Sequence, residues 1–142
     1  MGMTMRAALV AALGFAVSPA GAASLEEGRA TYTAVCGKCH GQITEQLSRH
    51  GIDGRIWPAV MSPLGPNLTG IFGRPAGTIG GYRYSNAMRK AAPGIVWDAP
   101  SLDVWLANSQ AMIKGSYMFL KLKPEKRAVV IEYLEKVAKH RR

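Results

Sequence analysis

Acidic residues are scarce in this chain: 9 Asp and Glu stand against 18 Lys and Arg in 142 residues, a net charge of +9. Such an excess implies an acidic partner: nucleic acid, anionic lipid or an acidic protein face. Cysteine is scarcer still, with 2 in the chain. Two residues separate them, which excludes a disulfide-dense secreted scaffold. No apolar run approaches the roughly 20 residues that a membrane-spanning helix needs. Strand-like alternation of useful length and internal repeats are also missing. What is present is ordinary: 48% hydrophobic and 19% charged residues. That balance excludes a disordered, collagenous or low-complexity protein. The length suits one compact domain.

The first residues read as a leader. Arg6 is the one charge before Glu26, and positions 7–17, AALVAALGFAV, form a short apolar run. Ser18-Pro19 breaks the run, and Ala20-Gly21-Ala22 supplies small residues at cleavage spacing. This is the layout of a secretory signal peptide covering residues 1–23. Cleavage there removes Arg6 and lowers the charge to +8, starting from the +9 of the whole chain. The remainder, 24–142, is expected to be one exported domain without stable membrane insertion.

That domain reads as helix, long loops, helix. Ser24 is a candidate N-cap for a first helix, with Glu26 and Glu27 suited to its positive end. Leu25, Tyr32 and Val35 lie near one face, and Gly28 permits close approach of another backbone. Positions 41–96 are rich in Gly and Pro. Pro100-Ser101 precedes a helical stretch with Leu102, Trp105 and Leu106. Pro124 suits the first position of a last helix, where Val130, Ile131, Leu134, Val137 and Ala138 recur at helical spacing. So much loop leaves too little regular structure for a self-sufficient core, and something else must fill the middle.

Cys36-Gly37-Lys38-Cys39-His40 has the C-x-x-C-H spacing of a c-type haem attachment site. Each thiol can add to one haem vinyl group, and His40 is then held at the iron as proximal ligand. A redox-active cysteine pair is a competing reading, but it expects a preceding strand where a helix leads in. A zinc site needs two further ligands, for which His50 and His140 are the candidates. The sixth position on the iron has several candidates: Met61, Met88, Met112, Met118, His50 and His140. Methionine is more often a core filler than a ligand. Met118 follows Lys114-Gly115-Ser116-Tyr117, a loop able to present its sulfur at a fixed angle, and Met61 in its Pro-flanked loop is the weaker rival. A His/Met pair fills both axial positions and suits electron transfer better than substrate binding.

With these residues the chain resembles the class I c-type cytochromes, mitochondrial cytochrome c and its soluble bacterial relatives. The resemblance runs from about Gly28 to Lys136. It rests on CGKCH at 36–40, GPNLTGIFGRPAG at 65–77, GYRYSNAM at 81–88, IVW at 95–97, KGSYMF at 114–119 and EYLEK at 132–136. It implies an all-α class I cytochrome c fold wrapped around one haem c, held covalently by Cys36 and Cys39. It implies His40 and Met118 as axial ligands, with the Pro66 carbonyl accepting from the second nitrogen of His40. Arg74, Tyr84 and Trp97 are implied as propionate contacts, and Gly28, Tyr32, Val130 and Tyr133 as the packing of first against last helix. Ser116 stands at the family's threonine beside the ligand loop.

The chain departs from the pattern in places. Trp105 stands where the family usually has a Tyr whose hydroxyl approaches the Met ligand. Lys114 replaces a proline before Gly115, Tyr117 replaces a lysine, and Met88 replaces an Asn. The 41–65 segment is longer than in short family members, and its Ile52, Ile56, Trp57, Val60 and Met61 suggest a packed excursion. The function implied is a one-electron carrier rather than an enzyme. It is expected to be a periplasmic monomer docking acidic redox proteins, such as a membrane oxidase, reductase or dehydrogenase, at a basic haem edge. A peroxidase-like enzyme or small-ligand sensor with a labile sixth ligand is the alternative. Nucleic-acid binding is disfavoured by export and by the absence of a recognition motif.

Overall fold

The protein is described by a computed structural model covering residues 20–43 and 64–139. Helix α1 (Ala20–Thr31) runs through a π-helical turn at Tyr32–Cys36 into the short α2 (Gly37–His40). The later helices are α3 (Asn86–Ala91), α4 (Ala99–Ala107), α5 (Ser109–Met112) and α6 (Pro124–Lys139). Among the described residues there is no strand, only an isolated antiparallel bridge between Pro75 and Val96. The expected all-α class thus holds. The signal peptide lies almost wholly outside the described residues, as does most of the 41–65 excursion.

Three helices start where a side chain satisfies free backbone N–H groups. Ser85 caps α3 by accepting from the Met88 N–H at 3.1 Å. Asp98 and Ser101 form a reciprocal capping box on α4, each backbone-to-side-chain bond measuring 2.9 Å. Asn108 caps α5 through the Ala111 N–H at 3.2 Å. Ser24 does not cap α1. The alanine-rich sequence before it extends the helix upstream, and the Ser24 hydroxyl donates to Glu132 Oε1 on α6 at 2.9 Å. Helix α3 was hidden in the loop-rich 41–96 stretch: it is six residues long, too short to show a period.

The crossing of α1 and α6 forms the frame. A Cβ on Gly28 would lie 2.4 Å from the Val129 carbonyl oxygen and 2.8 Å from Tyr133 Cβ, so the backbones meet there because residue 28 has no side chain. Tyr32 and Tyr133 pack with ring centroids 5.6 Å apart, and Tyr32 and Val130 are fully buried. Helix α6 is tied to α4 by Arg127, whose Nε donates to Asp103 Oδ1 at 2.7 Å. The core therefore forms a shell of α1, α4 and α6 with the 64–85 loop and the 114–122 segment, and the shell surrounds a cavity.

Candidate cofactor site

The α1–π–α2 run carries the pentapeptide into the cavity wall. Cys36, Cys39 and His40 all line it, and no disulfide joins the two thiols. The π turn is the kind of irregularity that often marks a functional position. Tyr32, inside that turn, donates its hydroxyl to the Gly41 carbonyl at 2.9 Å and holds the end of α2. Burial pushes the Cys36 thiol up to about 11, with its neighbour Cys39 adding to the effect.

His40 is held from the opposite loop. Its Nδ1 lies 2.7 Å from the Pro66 carbonyl oxygen, so that nitrogen carries the proton and Nε2 keeps its lone pair. Burial lowers the His40 pKa, and the Pro66 carbonyl partly opposes that shift. A Cβ on Gly65 would sit 2.7 Å from both Cε1 and Nδ1 of His40, so a bare backbone must pass the ring there. Asn67, fully buried, donates to the carbonyls of Gln42 at 3.1 Å and His40 at 3.4 Å, and accepts from the Thr69 N–H at 2.9 Å. Sequence reasoning missed Gly65 and Asn67, although both lie in the quoted GPNL motif.

Met118 lines the same cavity as His40. The Trp105 indole N–H donates to Met118 Sδ at 3.1 Å, so the residue standing in for the expected Tyr still reaches the sulfur. Trp97 packs on Trp105 with centroids 5.5 Å apart, and both are buried. Met88, the other described methionine of the wall, is buried against the core. Met112 packs on the core without lining the cavity. His50, Met61 and His140 lie outside the described residues.

Tyr84, Trp97 and Ser116 line the cavity; Arg74 does not. It is brought beside Trp97 by the backbone instead: the Trp97 N–H donates to the Arg74 carbonyl at 2.9 Å. The Tyr84 hydroxyl accepts from the Ile79 N–H at 3.3 Å. Its pKa is raised by burial, while the Ile79 bond and the nearby Arg74 charge pull the other way. Ser116 is buried and sits in a hydrogen-bonded loop with Gln110, a residue the sequence did not mark.

The cavity measures about 410 Å³, within the range of small-molecule and cofactor sites. Two unpaired thiols, an imidazole with a free nitrogen and a thioether converge on its mainly apolar wall. No cluster of His, Cys, Asp and Glu able to hold a bare metal ion occurs among the described residues. These residues fit a covalently attached haem.

The sequence profile of the cytochrome c family matches residues 25–138. The chain belongs to the cytochrome c family. Cytochrome c of Chlamydomonas reinhardtii is 36% identical over 123 residues, covering 85% of this chain and 94% of that protein. Cytochrome c2 iso-2 of Magnetospirillum molischianum is 43% identical over 74 residues, 51% of this chain and 74% of its own length. The structure of cytochrome cH from Methylobacterium extorquens superposes with a TM-score of 0.58 at 28% identity, covering 79% of this chain and 97% of that one. Membership establishes the class I fold, a covalently attached haem c and the role of electron carrier. The haem supplies the one-electron couple of its iron. This cytochrome c chain supplies burial, orientation and the polar groups around it.

Proposed function

We propose that this chain is an exported, periplasmic one-electron carrier whose haem is attached through Cys36 and Cys39 and ligated by His40 and Met118. The supporting observation is the pairing across one cavity of a His40 ring fixed through Nδ1 with a Met118 sulfur held by the Trp105 N–H. Both axial positions are then filled by the protein, so the iron exchanges electrons without binding substrate, and the chain is not an enzyme. Pro66 orients His40, and its acceptance of the Nδ1 proton makes the imidazole a stronger donor. Tyr84, Trp97 and Arg74 are assigned to the haem propionates; Tyr84 and Trp97 line the cavity, and Arg74 adjoins Trp97 through a backbone hydrogen bond. Residues 1–23 serve as the signal peptide. No described helix is long and apolar enough to cross a membrane, and the carrier is proposed to work as a monomer between larger redox partners.

The test is maturation in a haem-attaching host followed by acid–acetone extraction and optical spectroscopy. The haem is expected to stay with the protein, and the ferric form to show the weak long-wavelength band of sulfur on iron. Met118→Ala is expected to abolish that band and admit cyanide. Haem passing into the organic phase refutes the covalent attachment; a band that survives in Met118→Ala refutes the axial pair.

A further inference from the structure

The loop that carries Met118 has an unusual support. The Ser116 N–H donates to the Ile113 carbonyl at 3.1 Å, and Gly115 takes a φ of +89°. This is the type II pattern, with glycine at the third position and proline common at the second. Here the second position is Lys114, so the turn lacks the stiffness of a ring.

The side chain of Gln110, at the second position of α5, spans that turn instead. Its Nε2 donates to the Ser116 carbonyl at 2.9 Å, to Ser116 Oγ at 2.9 Å and to the Met118 carbonyl at 2.7 Å. Its Oε1 accepts from the Gly115 N–H at 3.1 Å. One amide thus ties both ends of the Gly115–Met118 segment. With two hydrogens for three acceptors, the bonds are shared, and Ser116 Oγ adds its own bond to the Met118 carbonyl at 3.3 Å. The adjacent Ser109, fully buried, donates to the same carbonyl at 2.8 Å and accepts from the Leu120 N–H at 3.1 Å. Trp105 holds the sulfur atom; Gln110 holds the backbone that delivers it.

We propose that Gln110 is a positioning residue that clamps the 115–118 loop in place of a proline at 114 and so keeps the sixth iron position closed to outside ligands. The inference rests on Met118 being the axial ligand. Without the clamp the loop samples open conformations, Met118 leaves the iron, and small nitrogenous or anionic ligands enter. Losing two or more shared hydrogen bonds shifts the closed–open balance by about tenfold or more.

The experiment uses the haem-loaded protein and imidazole as probe, reading its affinity, the sulfur–iron band against temperature, and global unfolding by circular dichroism. Gln110→Ala is expected to bind imidazole about tenfold more tightly and to lose the band well below the unfolding temperature. Gln110→Glu should behave alike, because a carboxylate cannot donate to the Ser116 and Met118 carbonyls. Adding Lys114→Pro to Gln110→Ala should restore the band and reduce the affinity. Ile113, with φ −136° and ψ 89°, lies outside the α region that a following proline disfavours. Should Gln110→Ala fail to mature, Lys114→Pro alone is still expected to weaken imidazole binding.

If Met118→Ala keeps the band and the unaltered imidazole affinity, the axial assignment itself falls. If Met118→Ala loses the band while the Gln110 variants bind imidazole like the unaltered protein, the clamp is overturned. A Gln110→Ala protein whose band and global fold are lost together, with unchanged affinity at ambient temperature, overturns it as well. So does a Lys114→Pro change that restores nothing in the double variant or leaves affinity unchanged alone.

Discussion

An indole nitrogen has one proton to give and no lone pair with which to accept, whereas a tyrosine hydroxyl does both. Trp105 therefore acts on Met118 in one direction. With Met118 as the proposed iron ligand, its bond to Sδ at 3.1 Å would draw electron density from the sulfur and favour the reduced iron. Trp105→Phe keeps most of the ring volume and removes the donor. The reduction potential is expected to fall by on the order of tens of millivolts, the equivalent of about 1 kcal/mol for one electron. Voltammetry of the haem-loaded variant checks this, and an unchanged or higher potential refutes it. The Pro66 carbonyl would make His40, the other proposed ligand, the stronger donor, which would favour oxidised iron. The two supports would thus pull the potential in opposite senses.

At the scale of elements, the α1–α6 crossing depends on one missing Cβ. Gly28→Ala forces an atom to within 2.4 Å of the Val129 carbonyl oxygen, and backbone cannot swing aside as a flexible side chain does. Overpacking of this kind costs about 1–3 kcal/mol, to be read as a lower midpoint in denaturant titration; an unchanged midpoint counts against the crossing described. An ion pair adds to the apolar α4–α6 contact. The hydrogen bond from Arg127, with its charge, holds the Asp103 carboxyl below the usual carboxylate range, while Asp103 raises the Arg127 pKa. A carboxylate lowered on folding adds stability that is complete above its unfolded pKa of about 3.9 and fades as pH falls toward the lower folded value. Asp103→Asn should therefore flatten the acid limb of stability below about pH 4 relative to the unaltered chain. Identical acid limbs would show that the pair contributes nothing. Glu132, lowered by its hydrogen bonds with Lys136 and Ser24, acts in the same direction and remains in both proteins.

At the scale of the whole molecule, part of the net charge of +9 lies close in sequence to the cavity-lining residues. Lys114, Lys121 and Lys123 are exposed on the segment that carries Met118, and Lys38 lies inside the haem-binding pentapeptide. In the proposed function, positive charge so placed would steer an acidic partner and turn the haem edge toward it. Electron transfer to an acidic redox protein is expected to slow steeply with ionic strength, because screening sets in over about 10 Å at 0.1 M salt. Charge reversal of Lys114, Lys121 and Lys123 to Glu should slow association by about tenfold or more at low salt. Reversal of Lys126 and Lys136, both ion-paired on α6, should do far less. Stopped-flow rates across a salt series decide, and equal effects from the two sets would remove the docking role.

The attachment motif and the last helix were legible in the sequence because their determinants are local, whereas the α1–α6 packing was expected from the family resemblance. C-x-x-C-H is read at fixed spacing, and the apolar period of 130–138 runs along a single helix. Met118 could be singled out among several candidates by its loop, but its pairing with His40 depends on segments 78 positions apart folding onto one cavity. Short elements left no period to read, which is why α3 and α5 went unseen; α1 began earlier than its apparent cap because the alanines before Ser24 extend it. Long-range hydrogen bonds were illegible for a different reason. Nothing in the chain marks Asn67 as the buried tie between the 40–42 backbone and the 66–69 turn, or Gln110 as the clamp on the 115–118 loop. An amide side chain acquires such a role only when tertiary packing removes water and brings unsatisfied backbone groups within its reach. Sequence determined which atoms can bind and ligate the haem; the tertiary structure decided how firmly each is held, because firmness here comes from neighbours distant along the chain.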